Sequence, residues 1–474
     1  MTDVLVVGAG PAGVVTALRA ADLGARTWLI ASGGFGGMAA NDGPVPVRTL
    51  AHAARLMREA RQLAKYGVKI GAPELDYCRL LGRVRDVVGD VRSHSSLRQQ
   101  IDALGVKVDE QAGAARFVDE HTIEAAGGLR LRADKVILCT GGVSRRLPIP
   151  GFELTSTHSD AWSLTSIPAS MLVVGAGATG VQVASIFNAF GTRVQLFEAG
   201  PRILSTEDEE VAAAAAAAFR GCGMEVRECF GAIDSFEKAP AGVRMNFSKD
   251  GKRDSAEAEL VVVAVGWVAD IAGLNLSKAG VEVNERKFVK VDAYLRTSAP
   301  HIFAAGDITG RLMLVPQALQ AGYVAATNAV LGPTMPLRDE VMTTGSFTDP
   351  EYAQTGLIEA KARATHDIVT AVVHFDSTTR TIIDERTFGF CKLIADRKTC
   401  KILGCHVIGE LAVDIVQVAS IAIAAGMGVD DLARIPLAYP TYAGILVRAA
   451  VSAAHQLNLD IGWHARQADA LASD

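Results

Sequence analysis

Apolar positions in this chain fall in short unbroken runs that end at glycine. Val4-Leu5-Val6-Val7 runs into Gly8-Ala9-Gly10-Pro11-Ala12-Gly13, and Leu172-Val173-Val174 runs into Gly175-Ala176-Gly177-Ala178-Thr179-Gly180. Unbroken runs of this length predict strands buried on both faces. The residues that follow, Val14 to Leu23 and Val181 to Phe190, are compatible with helix, so each segment predicts a strand, a glycine turn and a helix. Val136-Ile137-Leu138 and Val261-Val262-Val263 read as further strands, with Thr27-Trp28-Leu29-Ile30 and Val194-Gln195-Leu196-Phe197 as the second strands of the two units. Beyond about residue 338 the pattern changes to alternating apolar strands and a long apolar helix. The alanine run Ala212 to Ala218 predicts a helix of high intrinsic propensity and no chemistry.

The spacing Gly-x-Gly-x-x-Gly after a strand is the dinucleotide-binding turn. Its first glycine permits the tight turn, its second lets backbone approach a pyrophosphate, and its third lets helix and strand pack closely. The helix N-terminus then offers free amides to the phosphates. Two copies, each opening a βαβ pattern, predict two dinucleotide sites. An acid at the end of the second strand accepts hydrogen bonds from a ribose. The second copy has it as Glu198, which would repel a 2′-phosphate and favours NADH over NADPH. The first copy has Ala31-Ser32 instead.

The chain has 474 residues, which suggests two to four domains. Net charge is −5, from 47 basic and 52 acidic residues, so no surface for a polyanion is indicated and nucleic acid is not an expected partner. No apolar run approaches the ~18 residues of a spanning helix; Met171 to Val174 and Leu260 to Val265 are strand-length. The chain enters a strand within a few residues of its start, without a basic leader, which reads as cytoplasmic. The seven cysteines show no zinc spacing and fit reduced thiols, and no metal site is expected. Cys400 and Cys405 read as two structural cysteines near a hairpin, and Cys139 as a buried strand residue.

These segments, taken in order, resemble the class I pyridine nucleotide-disulfide oxidoreductases, the family of dihydrolipoamide dehydrogenase and glutathione reductase. Val136 to Gly142, with Thr140-Gly141, is similar to the family's strand and Ala-Thr-Gly turn. His301-Ile302-Phe303-Ala304-Ala305-Gly306-Asp307 is similar to its second FAD fingerprint, whose Asp bonds the ribityl chain. Phe347 to Ala353, Gly389 to Leu393 and Ile402 to His406 are similar to its dimerisation domain. The resemblance implies an α/β fold with two Rossmann-like domains, for FAD and NAD(P)H, and a C-terminal α+β dimerisation domain. The implied boundaries are 1–148 and 281–336 for the FAD domain, 149–280 for the NAD(P)H domain and 337–474 for dimerisation. A homodimer is implied, its active sites completed by the partner subunit.

The departures from the family are concentrated where its thiols work. The family reads Gly-Gly-Thr-Cys-x4-Cys-x-Pro where this chain has Gly36-Gly37-Met38-Ala39-Ala40-Asn41-Asp42-Gly43-Pro44-Val45-Pro46, so both redox cysteines are missing, as Ala39 and Pro44. Its His-Pro-Thr-x-x-Glu is Tyr439-Pro440-Thr441-Tyr442-Ala443-Gly444 here. Arg48 stands at the position of its flavin-contacting Lys, Gln182 at that of the Glu partner, and Ala178 at that of a bulky gate residue. Trp267 and Ala269 replace an Arg and a Pro. An Ala and a Pro cannot exchange electrons by thiolate attack on sulfur.

The expected activity is therefore an FAD-dependent NAD(P)H oxidoreductase without a redox disulfide. Gly8, Gly10, Gly13, Gly36, Gly37, Thr140, Gly141 and Asp307 would hold FAD, and Gly175, Gly177, Gly180 and Glu198 would hold NADH. Arg48, Gln182 and Tyr439 are the expected catalytic side chains, passing electrons to a small-molecule acceptor such as a quinone. A similarity to dihydrolipoamide dehydrogenase-like quinone reductases, which end in Tyr-Pro-Ser-x-x-Gly, supports that acceptor. A similarity to soluble transhydrogenases, in Tyr-Pro-Thr, Ala115 to Thr122 and Ala184 to Phe187, keeps hydride exchange between NADH and NADPH as an alternative. A reductase or oxidase of a biosynthetic intermediate and a non-catalytic nucleotide-binding subunit are the others.

Overall fold

A computed structural model describes residues 2–93, 96–338 and 341–461. Its first unit is a mostly parallel sheet. Thr2–Val7 lies between Thr27–Ile30 and Arg130–Leu138, with Lys107–Asp109 beyond the former and Ile302–Ala304 beside the latter. Thr122–Ala125 and Ala115–Phe117 extend it antiparallel. Central strands buried on both faces explain the unbroken apolar runs: Leu5, Val6, Ile137 and Leu138 are fully buried. The first helix is Pro11–Asp22, beginning directly after the second glycine with proline in its first turn, where a missing N–H costs no hydrogen bond.

The second unit repeats the plan. Ser170–Val174 lies between Arg193–Glu198 and Leu260–Val263, all parallel, with Glu225–Glu228 outside. The helix Ala178–Ala189 follows the glycine turn. The alanine run lies in the helix Glu209–Gly221, whose first turn is capped by Asp208. An antiparallel pair joins the two units, Gly142–Ser144 with Trp267–Ala269. This brings the strand after Thr140-Gly141 beside the strand that leaves the second unit.

The third unit is an antiparallel sheet in the order Thr343–Ser346, Tyr352–Gly356, Ile402–Ile408, Phe390–Asp396, Ile368–His374. The helices Ala412–Ala424 and Gly444–Gln456 cover it, packing Val416, Ala419, Leu446 and Ala450 onto Leu393, Cys405 and Val407. A buried charge ties this unit to the second: Lys392 Nζ lies 3.0 Å from Asp208 Oδ1 and also pairs with Glu359. Among the described residues no helix is long and apolar enough to cross a membrane. Residues 462–474 of the expected last domain lie outside the described residues.

Candidate active site

The two glycine turns are built alike. Gly8 and Gly175 have φ of +107° and +94°, a left-handed backbone that favours glycine. A Cβ at either would stand 2.2 Å from the Cys139 carbonyl oxygen or 2.5 Å from that of Ala264. At Gly13 and Gly180 a Cβ would stand 1.8 Å from the carbonyl oxygens of Gly8 and Gly175, so the helix can lie on its strand only without a side chain there. Gly10 and Gly177 differ from both: their backbone is extended and a Cβ at either meets nothing within 4 Å. The first and third glycines thus serve the fold, whereas the second leaves an open backbone face at a helix N-terminus. That face is what a pyrophosphate requires.

Glu198 ends its strand as expected, but its carboxylate already has work in the protein. Its Oε2 accepts from the Ala176 N–H at 2.9 Å and its Oε1 from the Gly200 N–H at 2.7 Å, pinning the second turn from behind. Each oxygen keeps a second lone pair for a ribose hydroxyl. At the first turn Ala31 is buried and its N–H donates to the Asp109 carbonyl, so no carboxylate of its own serves that ribose position.

The loop from Gly36 is clasped to the first turn. Gly36 N–H donates to the Ala9 carbonyl at 2.9 Å, and a Cβ at Gly37 would stand 2.6 Å from Gly10 Cα. Gly37–Asn41 forms a short helix, braced by Asn41 Nδ2 donating to the Gly37 carbonyl at 2.7 Å. Pro44 then opens the helix Pro44–Gln62. Ala39 and Pro44 therefore lie on a loop held against the first nucleotide turn, as a redox pair would, but carry no sulfur. Thr140 Oγ1 donates to the Asp270 carbonyl at 2.6 Å, tying the turn at Gly141 to the end of the strand Trp267–Ala269. Asp307 follows Ile302–Ala304 and comes beside Gly142, whose added Cβ would be 3.6 Å from its own; burial pushes its carboxyl pKa up. These residues fit the ends of an FAD.

The expected catalytic side chains are dispersed. Arg48 is on the helix Pro44–Gln62, which packs against Ala178–Ala189, the helix that carries Gln182. Gln182 nevertheless donates to the Ala178 carbonyl of its own helix at 3.2 Å, while Arg48 stacks on the Phe347 ring. Arg48 thereby enters a cavity of about 150 Å³ shared with His52, Arg58, Glu351, Arg386 and Glu410. Burial and the neighbouring Glu410 push Glu351 up to about 7, against the pull of Arg48 and Arg55. Tyr439 is 81% exposed on the third unit, its hydroxyl sharing a 2.8 Å hydrogen bond with Thr379.

Sequence reasoning passed over Glu351 and a second group: Asp42, between the two blank positions, and His158, which faces it. The signal for His158 was local, since Thr157-His158-Ser159-Asp160 spells a helix-capping box. Its nearness to Asp42 was not local. Three of the thiols are buried: Cys139, with a pKa pushed up to about 12, and Cys405, which lies 3.9 Å from Cys391.

The chain belongs to the family described as pyridine nucleotide-disulphide oxidoreductase, which it matches over residues 2–322, with that family's dimerisation domain over residues 342–450. It is 33% identical to a dihydrolipoyl dehydrogenase of Thermus scotoductus over 94% of this chain and 96% of that one. It is 31% identical to a mercuric reductase of Bacillus cereus over 93% of this chain and 70% of that one. The fold superposes on the HOCl-induced flavoprotein disulfide reductase RclA of Escherichia coli with a TM-score of 0.83, at 24% identity and over 95% and 99% of the two chains. Members of the family contain FAD and use NAD(P)H, and the dimerisation domain points to a homodimer.

Proposed function

We propose that this oxidoreductase takes hydride from NADH and delivers its electrons to a non-disulfide acceptor of quinone type. One observation carries the reading: both nucleotide turns keep their open second glycine, while the loop clasped to the first turn presents Ala39 and Pro44 instead of two thiols. Flavin, when bound, supplies the carrier that accepts hydride on one side and releases electrons on the other. The chain's own groups do the rest. Gly177 and the amides after it hold the nicotinamide dinucleotide, and Glu198, with spare lone pairs beside the turn, favours a free ribose over a 2′-phosphate. Gly10, Gly37, Thr140 and Asp307 hold the flavin end.

The names of the relatives point to disulfide and mercuric substrates. A disulfide acceptor needs a thiolate to attack it, and the loop provides none, so the acceptor here is one that stacks rather than one that exchanges sulfur. Tyr439, exposed on the dimerisation unit, reaches such an acceptor only across the subunit interface. There its hydroxyl would donate to the developing oxyanion. Tyr439→Phe should lower quinone turnover about 10²–10³-fold, the order for one lost donor; unchanged turnover removes the role given to Tyr439.

The experiment that tests the whole reading is anaerobic titration of the purified protein with NADH and then NADPH, following flavin absorbance. Bleaching by NADH, reversed by adding a quinone, is the expected result. Equal response to NADPH would move the reading to hydride exchange between the two pools. A protein without flavin, unable to take it up, would make this a nucleotide-binding subunit.

A further inference from the structure

His158 and Asp42 meet beneath the emptied loop. His158 is 5% exposed and opens the helix His158–Trp162. Its Nε2 lies 3.7 Å from Asp42 Oδ2, and its Nδ1 lies 3.2 Å from Ser144 Oγ. The Ser159 hydroxyl donates to the same Asp42 oxygen and lies 3.4 Å from Nε2. The Trp267 ring packs edge-on against the imidazole, centroids 4.8 Å apart. Three parts of the chain thus converge: the loop between Ala39 and Pro44, the strand Gly142–Ser144 and the short helix His158–Trp162. The cluster also adjoins the flavin end of the site, because a Cβ at Gly142 would stand 4.0 Å from Trp267 and 3.6 Å from Asp307 Cβ.

The Asp42–Ser159 hydrogen bond alone would fasten the loop to this helix, without His158. An apolar side chain would fill the space under Trp267 without desolvating an imidazole, whereas His158 Nε2 reaches Asp42 through the Ser159 hydroxyl, which lies 3.4 Å from Nε2 and donates to Asp42 Oδ2. An imidazole, a hydroxyl and a carboxylate linked in this order form a chain along which a proton can move. We infer that His158, paired with Asp42 in the same chain, is the proton relay for the acceptor reduced at the emptied loop.

The inference rests on the proposed quinone-type reduction, which sets the balance. Reducing a quinone to a quinol takes two electrons and two protons. Hydride from NADH carries both electrons and one proton, so one proton must come from the medium. In the relay the imidazolium N–H bond breaks as an O–H bond forms on the acceptor oxygen, and the neutral imidazole regains a proton from water. Asp42, whose side chain is 32% exposed, is the wet end of that path, while the His158 ring is dry. Burial lowers the His158 pKa, opposed by the charges of Asp42 and Asp160, the ionisable groups that face it. Burial thus disfavours the charged ring, and negative charge developing on a reduced acceptor favours it and draws the proton in.

The test uses FAD-loaded protein whose flavin is reduced with dithionite, so that NADH plays no part. Its reoxidation by 1,4-benzoquinone, which needs protons, is compared with reoxidation by ferricyanide, which takes electrons alone. General acid catalysis is worth roughly 10²–10⁴-fold. In His158→Gln the ratio of quinone rate to ferricyanide rate should therefore fall at least about tenfold, and the pH dependence of the quinone rate should flatten. Asp42→Asn, which keeps the shape, should lower the ratio less. It should also lower the His158 pKa, read by NMR on ¹⁵N-histidine-labelled resting protein. Equal loss with both oxidants, an unchanged pH profile, or a His158 pKa indifferent to Asp42→Asn overturns the relay. Failure of NADH to bleach the flavin would instead strike the donor side of the proposed function and leave these ratios readable.

Discussion

Gly177→Ala separates what the second nucleotide turn does for the fold from what it does for a ligand. Gly177 has φ −77° and ψ −176°, extended backbone that alanine adopts freely, and a Cβ there meets no protein atom within 4 Å. Without ligand the substitution should therefore be harmless, and by restricting the unfolded chain it should add about 0.4–1 kcal/mol of stability. The same methyl would stand where a pyrophosphate must touch backbone. Pushing the diphosphate away loses at least one charge-assisted amide hydrogen bond, about 1.5–3 kcal/mol, which is one to two orders of magnitude in NADH affinity. Gly180→Ala is the contrast: its Cβ would lie 1.8 Å from the Gly175 carbonyl oxygen, so the helix Ala178–Ala189 must move off its strand. Thermal unfolding without nucleotide and calorimetric titration with NADH, both on FAD-loaded protein, give the two readouts. Gly177→Ala binding NADH as tightly as the unmodified protein, or unfolding markedly earlier, would refute the division of labour. Gly10→Ala, with φ −73° and ψ −178°, should behave the same way toward FAD.

Glu198→Ala should weaken NADH binding and strengthen NADPH binding, because it removes the repelling charge and frees the Ala176 and Gly200 amides for a 2′-phosphate. The ratio of the two dissociation constants should shift by about tenfold or more, one charge-assisted contact being worth about 1.5–3 kcal/mol; an unmoved ratio counts against a ribose role. Glu351 gives a pH signature. Its carboxyl is raised from 4.5 to about 7, so between those values the folded state holds a proton that the unfolded state has lost, and stability falls as pH rises through that window. Glu351→Gln should remove that part of the slope, up to about 3 kcal/mol between pH 4.5 and 7. Denaturant titrations at pH 5 and 8 that show the same difference in both proteins would place the carboxyl at an ordinary pKa.

The parts of the site legible in the sequence are those whose requirement is local. Gly8 and Gly175 need a positive φ, Gly13 and Gly180 need the absence of a Cβ, and both needs are written within six residues of a strand that is itself an unbroken apolar run. Glu198 was legible for the same reason, although its two backbone partners were not. What the sequence did not show depends on packing between distant segments. Arg48 and Gln182 stand on neighbouring helices, yet Arg48 leaves for Phe347 and Gln182 folds back on Ala178. Cys400 and Cys405 do lie at a hairpin, Cys400 in the turn with φ +60° between Phe390–Asp396 and Ile402–Ile408, but their spacing did not name a partner for either. Cys405 faces Cys391, because Leu393 pairs with Cys405 and Cys391 with Val407, a diagonal on one sheet face.

Ala39 and Pro44 change what their loop can do without changing where it lies. Its position comes from Gly37 closing on Gly10, from the Gly36 amide on Ala9, from Asn41 on Gly37 and from Asp42 on Ser159, none of which involves a thiol. Pro44 sits where a helix begins, so its lack of an N–H breaks no bond that a cysteine there would have made. The loop is thus still fastened to the first nucleotide turn at one end and, through Asp42, to the second unit at the other. Without sulfur at Ala39 and Pro44 the loop still borders the space beside the first nucleotide turn, because the contacts that hold it are made by other groups. The side chain that the frame itself brings to that space is Asp42, with His158 behind it. Replacing Asp42 should therefore disturb both the placement of the loop and the proton supply, whereas replacing His158 should disturb the proton supply alone. Comparing the two variants with quinone and ferricyanide is thus a test of the frame as well as of the relay.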